Sequence, residues 1–111
     1  MLLITGITGL TGRFLINALR EAGYSDSIRC LIREHSDISW ITDKNIEFVN
    51  GDVTSVKSLI RACQGAKEVI HLVNIRSSPE VIEACKVNDI NRLIIVSTTG
   101  IFSKHQQYSS E

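Results

Sequence analysis

The sequence predicts an α/β fold, a doubly wound parallel sheet of five strands in the order 3-2-1-4-5. Three observations predict it. Short apolar runs with β-branched residues recur five times in 111 residues. Between them lie segments whose apolar residues fall at helical spacing, so strands and helices alternate. The runs are almost continuously apolar, the pattern of a parallel sheet covered on both faces. Right-handed crossovers then give the strand order.

Each element has its own signals. Leu2 to Ile4 is the first strand, and it leads into Gly6, Gly9 and Gly12. The segment from Arg13 to Ala22 reads as a helix with Phe14, Leu15, Ala18, Leu19 and Ala22 on its inner face, ended by Gly23. Ser27 to Ile32 is the second strand and is followed by Arg33. Glu34 to Asn45 is the least regular stretch. There Asp37 is expected to cap a short turn holding Ile38, Trp40 and Ile41, with Trp40 packed at the domain edge. Ile46 to Asn50 is the third strand. Thr54 or Asp52 is expected to cap a helix that turns Val56, Leu59, Ile60 and Cys63 inward and stops at Gly65. Glu68 to Val73 is the fourth strand. After a polar loop, Ser78 is the expected cap and Pro79 the first turn of a helix burying Val81, Ile82 and Cys85. Arg92 to Ser97 is the fifth strand, followed by Thr98, Thr99, Gly100 and a polar tail. There is no repeat, linker or low-complexity tract, so one domain over 1–111 is expected.

Composition narrows the function classes. Lys plus Arg and Asp plus Glu both total 12, so the net charge is zero, and neither a nucleic-acid nor a membrane surface is expected. No apolar run approaches the ~20 residues of a membrane span. The chain opens on a strand, so no leader is expected and the default compartment is the cytoplasm. Cys30, Cys63 and Cys85 form no C-x-x-C pair, and no histidine stands at metal-ligand spacing, so buried structural thiols and no metal are expected.

In a doubly wound sheet a ligand lies along the carboxyl ends of the strands. The first strand end offers the glycine loop in G-x-x-G-x-x-G spacing, a variant of G-x-G-x-x-G. Gly6 would turn the chain off the strand, Gly9 would admit a pyrophosphate, and Gly12 would let the helix lie close. The helix N-terminus adds unpaired N–H groups and partial positive charge. The second strand end offers Arg33, where an acidic residue would hold ribose hydroxyls in an NAD site. A guanidinium there suits a 2′-phosphate and favours NADP(H), with Glu34 the competing carboxylate. Arg13 could help neutralise phosphate. At the third end, the Asp52 carboxylate and Val53 N–H could meet adenine, or Asp52 could be a plain helix cap. The fourth offers His71, read as a core histidine, then Val73, Asn74 and Ile75 beneath ribose and nicotinamide. The fifth offers Ser97, Thr98 and Thr99, able to polarise a substrate carbonyl or to satisfy backbone groups. Tyr108 is the only downstream tyrosine. Lys104 lies four residues before it, the wrong order for a Y-x-x-x-K pair.

Thr5 to Arg13, the strand ending Leu-Ile-Arg33, the Gly-Asp-Val53 step and the Ile-Val-Ser-Thr-Thr-Gly100 strand end together resemble the short-chain dehydrogenase/reductase superfamily. The likeness is to its extended or atypical NAD(P)-binding branch, the NmrA-like and nucleoside-diphosphate-sugar epimerase-like proteins, and it runs along essentially the whole chain. It implies a Rossmann-like fold with Gly6, Thr8, Gly9, Leu10, Thr11 and Gly12 at the pyrophosphate. It also implies Arg33 at the 2′-phosphate, Asp52 and Val53 at adenine, and Ser97 at the catalytic serine position. Such proteins usually continue into further strands and a substrate region, and their Tyr-Lys helix is absent here or cut off. The expectation is the NADP(H)-preferring, cofactor-binding half of an oxidoreductase or epimerase-like protein, without a complete catalytic set in this chain. The alternatives are a non-catalytic dinucleotide-sensing or interaction module, or an inert fragment that self-associates as a homo-oligomer through its uncovered sheet edge.

Overall fold

Leu2–Thr5 forms β1, the central strand, and all four of its residues are buried. Two strands flank it, β2 (Ile28–Ile32) and β4 (Glu68–His71), and β3 (Ile46–Asn50) and β5 (Arg92–Ile95) form the edges. The sheet order is β3-β2-β1-β4-β5 and all four pairings are parallel, as expected. The helices are α1 (Leu10–Glu21), α2 (Val56–Cys63) and α3 (Ser78–Val87). This computed structural model describes residues 1–7, 9–72 and 78–96.

Alternation along β1 divides the core in two. Leu3 points to the face carrying α2 and α3, where it joins Leu59, Cys63, Val69, Val81 and Ala84. Leu2 and Ile4 point to the face carrying α1, beside Ile7, Ile16, Ile28 and Ile41. Leu3, Ile4 and Ile7 are wholly buried, and each such side chain stabilises the fold by about 1.5–3 kcal/mol. Arg29 ties the sheet to α2. Its guanidinium donates to the Ala62 and Gln64 carbonyls at the end of α2 (2.8 and 2.7 Å) and to Glu47 on β3 (2.7 Å). Gly23 and Gly65 follow α1 and α2 with φ of 72° and 83°, the left-handed helix ends expected of them.

Four local expectations are corrected. Helix α1 begins three residues earlier than Arg13, inside the glycine motif. Its buried residues are Gly12 and Ile16, whereas Phe14 is 76% exposed and Ala18 and Ala22 are also exposed. Phe14 is two residues from both Gly12 and Ile16, so it lies about 160° from each around the axis. The cap of α2 is neither Thr54 nor Asp52. The Ser55 hydroxyl accepts the Ser58 N–H at 3.3 Å, while Asp52 folds back onto Thr54. In α3 the buried set is Val81, Ala84 and Cys85, with Ile82 38% exposed, because the i, i+3, i+4 rhythm passes over it. Strands β4 and β5 stop at His71 and Ile95. The expected capping by Ser78 lies outside the described side chains.

Among the described residues, one face of the sheet is only half covered. Helices α2 and α3 share one side of the sheet, while α1 and the connection after β2 pack over β1, β2 and β3. Leu10, Phe14 and Ala18 on α1 therefore overlook Ile70, Leu72, Ile94 and Val96 across an open apolar groove of about 550 Å³.

Two outcomes follow from this packing. In Gly12→Ala the new Cβ would overlap the Ile7 carbonyl, backbone against backbone, so a loss of roughly 3 kcal/mol or more is expected in urea unfolding; an unchanged midpoint would show that α1 does not lie where described. Phe14→Ser should change stability by less than about 0.5 kcal/mol, since exposed substitutions cost little. It should also visibly lower binding of an apolar dye to the groove; undiminished dye fluorescence would show that the groove does not take up the dye.

Candidate functional site

The strand ladders run to the carboxyl edge of the sheet. Leu72 donates to the Thr5 carbonyl (3.0 Å), Gly51 to Ile32 (3.0 Å) and Val96 to His71 (2.9 Å), so the loops leave at one level. At the end of β1, Gly6 has φ of 80°, a conformation costly for any residue with a Cβ. It turns the chain sharply, as expected, and seats Ile7 in the core.

Gly9 is the N-cap of α1 in extended geometry (φ −84°, ψ 179°), and the first helical bond runs from Arg13 N–H to its carbonyl at 3.2 Å. Among the described residues no side chain caps this end, and no acid stands in the first turn. The leading N–H groups of the helix therefore carry its partial positive charge without an internal partner. The two glycines of this turn differ. Gly12 is glycine because the Ile7 backbone fills its side-chain position. Gly9 has no such reason. Its φ suits any residue, and a Cβ there would meet nothing within 4 Å. Packing leaves open space where a Gly9 side chain would stand, directly before an uncapped helix terminus. That space and those donors fit the pyrophosphate of a dinucleotide.

Beside this turn lies a cleft of about 220 Å³. Gly6 and Ile7 form one wall, Leu31, Ile32 and Arg33 a second, and Ser36, Gly51 and Val53 the remainder. Arg33 is exposed and held in a reciprocal turn: its N–H donates to the Ser36 hydroxyl (3.0 Å), and the Ser36 N–H donates to the Arg33 carbonyl (3.1 Å). The Ser36 oxygen accepts in that turn, so its proton remains available to an anion beside Arg33. Asp52 is exposed, and one of its oxygens accepts both the Thr54 N–H (2.8 Å) and the Thr54 hydroxyl (2.7 Å). Those bonds, with a smaller contribution from Arg33, hold its carboxyl below the ordinary aspartate range. The second oxygen stays available to a ligand.

The structure thus brings Gly6, Gly9, Gly12, Arg33 and Val53 together at one edge, with Asp52 adjoining. Leu10 and Thr11, the first two residues of α1, also line the apolar groove. Arg13 lies over the Trp40 ring, 4.5 Å from its centroid. Thr8, Val73, Asn74, Ser97 and Tyr108 lie outside the described residues, as do Ile75, Thr98 and Thr99. His71 is wholly buried and shares a 2.5 Å hydrogen bond with Thr5, its in-register neighbour on β1, as a core histidine should. The three cysteines are free and buried. Burial pushes the Cys30 thiol up to about 12, and Cys85 is raised by its hydrogen bond with Cys63 and by burial, which suits the structural reading.

Sequence reasoning missed Ser36 and the partnership of Arg13 with Trp40. Ser36 carried a signal, since a serine three residues after Arg33 can close a turn. The Arg13–Trp40 contact spans 27 positions and carried none. Among the described residues no group of three potential metal ligands occurs and no helix is long and apolar enough to cross a membrane.

A family model described as NAD(P)H-binding matches residues 6–111. Over 72 residues, 65% of this chain, the sequence is 35% identical to a ceramide reductase from Caulobacter vibrioides, of which the match covers 22%. It is 24% identical over 109 residues to a photosystem II assembly factor from Cyanophora paradoxa, covering 86% of this chain and 33% of that protein. The chain therefore spans a third or less of these relatives. The crystal structure of vestitone reductase from alfalfa (Medicago sativa) superposes with a TM-score of 0.72 at 25% identity, covering 86% of this chain and 35% of that one.

Three carboxyls near the site make stability pH-dependent. Hydrogen bonds from Thr54, Ser39 and Arg20 hold Asp52, Asp37 and Asp43, respectively, below the ordinary aspartate value. A lowered folded-state pKa gives stability that is complete above the unfolded value and lost as pH falls through the folded one. Asp43→Asn should therefore be less stable than wild type near pH 6 and converge with it by about pH 2 in urea titrations. A constant difference across that range would show that Asp43 is not held ionised by Arg20.

Proposed function

We propose, because this chain belongs to the NAD(P)H-binding family, that it holds NADP(H) in preference to NAD(H) and serves as the coenzyme-binding part of an atypical short-chain dehydrogenase/reductase or epimerase-like protein. One observation carries the coenzyme reading: the empty side-chain position of Gly9 before the uncapped terminus of α1. A pyrophosphate there would take the leading N–H groups of the helix. The adenosine end would enter the cleft between Ile7, Ile32 and Val53, where the free Asp52 oxygen can accept the adenine amino group.

The Arg33 guanidinium and Ser36 hydroxyl support the choice of phosphorylated coenzyme. They stand together at the end of β2, where the ribose edge would fall, and offer donors suited to a dianion. The nicotinamide end would fall toward Val73, Asn74 and Ser97. If a complete protein with this domain is catalytic, hydride would pass between the coenzyme and a carbonyl or alcohol, with Ser97 orienting the substrate oxygen. Residues 1–111 form the coenzyme domain in this reading.

A second reading is a dinucleotide-binding interaction module. The exposed apolar groove along Leu10 and Phe14 favours it, as does the likeness to a protein named as an assembly factor. Turnover of NADPH with a panel of carbonyl compounds separates the two.

Direct titration tests the coenzyme reading. Wild type should bind NADPH more tightly than NADH. Arg33→Ala should weaken NADPH about tenfold, the worth of a charge-assisted hydrogen bond, and NADH less than twofold. Gly9→Ala should weaken both coenzymes while keeping the wild-type urea midpoint, since its Cβ enters empty space. Wild type that binds neither coenzyme would sink the proposal, and an Arg33→Ala protein that keeps the preference would remove Arg33 from it.

A further inference from the structure

The stretch between β2 and β3, residues 33–45, contains no helix, although a doubly wound sheet commonly has one there. A run of turns replaces it. Arg33 and Ser36 exchange hydrogen bonds, Asp37 accepts both the N–H and the hydroxyl of Ser39 (3.1 and 2.7 Å), and Ile41 donates to the Ile38 carbonyl (3.0 Å). Each turn begins close to where the previous one ends, and the N–H groups of Arg33, Ser36, Ser39 and Ile41 are bonded in these turns.

This connection is fastened to α1 at two places. Arg20 forms a forked pair with Asp43 (2.9 and 2.5 Å) and also donates to Asn17 (2.9 Å). One helical heptad earlier, Arg13 lies over Trp40. Positions 13, 17 and 20 share a helix face, and that face meets the connection. Arg13 also bears electrostatically on Asp37, the residue next to Ser36. Trp40 is half-buried against the α1-side core and Ile41 is buried, so the ring has a fixed backing.

Arg13 therefore has a place that differs from a direct phosphate ligand. Its guanidinium is engaged by an aromatic face, four residues into α1, on the side of the helix turned to the connection. Ser36 and Arg33 line the cleft; Arg13 and Trp40 do not. We infer that the Arg13–Trp40 stack is a positioning element for the 2′-phosphate end of the coenzyme site: it fixes the turn carrying Arg33 and Ser36 relative to the glycine loop, and so sets the discrimination between phosphorylated and unphosphorylated dinucleotides. This rests on the coenzyme reading above and assigns to two residues outside the cleft the control of its selectivity.

A double-mutant cycle with two readouts tests it. The first needs no coenzyme. Trp40 is the chain's single tryptophan, so its fluorescence reports the stack directly. Arg13→Gln should alter the emission and Arg13→Lys should alter it less; identical emission in all three proteins overturns the inference. The second readout is the pair of dissociation constants for NADPH and NADH. A cation–π contact at an exposed site is worth a factor of roughly three to five, so Arg13→Gln and Trp40→Leu should each weaken NADPH by about that much and NADH by less than twofold. The double variant should be no weaker than either single one, because both remove the same contact. Trp40→Phe, which keeps a ring face, should stay near wild type. Additive losses would make Arg13 a direct phosphate ligand, and equal losses for both coenzymes would make the stack a stability contact only. Either result overturns the positioning role while leaving the coenzyme reading intact. Wild type that binds neither coenzyme brings down both.

Discussion

The contact between Gly12 and the Ile7 backbone is the constraint on which the rest of this structure depends. It lets the first turn of α1 lie against the chain leaving β1 at a distance that no side chain permits. That approach fixes where the helix starts and aims its N-terminal donors along the sheet edge. It also commits Ile16 to the core below. Gly6 belongs to the same arrangement, since the turn it makes delivers Ile7 to the position Gly12 packs against. Backbone conformation thus dictates Gly6 and packing dictates Gly12. The third, Gly9, is left with neither a conformational nor a packing reason.

Much of this was legible in the sequence because it is local. Strand runs, helix ends at Gly23 and Gly65, and the strand order follow from patterns that a few residues carry. Arg33 is singled out by its distance from the glycine loop, and it lines the cleft beside that loop. What was not legible depends on cover. Phe14 and Ala18 sit at helical spacing from other apolar residues, and periodicity cannot say whether anything packs over a given stripe. Here nothing among the described residues does. Ile82 lies off the i, i+3, i+4 rhythm that buries Val81, Ala84 and Cys85 in α3. Ser55 in place of Thr54 as helix cap is a one-residue ambiguity among three neighbouring cap-forming side chains. The Arg13–Trp40 and Arg20–Asp43 contacts join segments that no pattern links.

Those two contacts are individually small. An exposed ion pair contributes about 0–1 kcal/mol and an exposed cation–π contact about as much. Their importance lies in what they order. A connection without a helix has no ladder of its own to hold its shape, so side chains from α1 supply that order. Where binding selectivity depends on the placement of one guanidinium and one hydroxyl, small fastenings outside the cleft can matter more than their energies suggest.

The register of β1 has a consequence for how the chain comes together. Leu2 pairs with Ile28 on one side and with Glu68 on the other. The central strand precedes every other described strand in the chain, yet its second flank is supplied only after some sixty further residues have been made. At a synthesis rate of roughly 5–20 residues per second, the most apolar segment of the sheet waits several seconds with one edge open. Assembly of this fold is therefore governed by a late, long-range closure, and the order of translation runs against the order of burial.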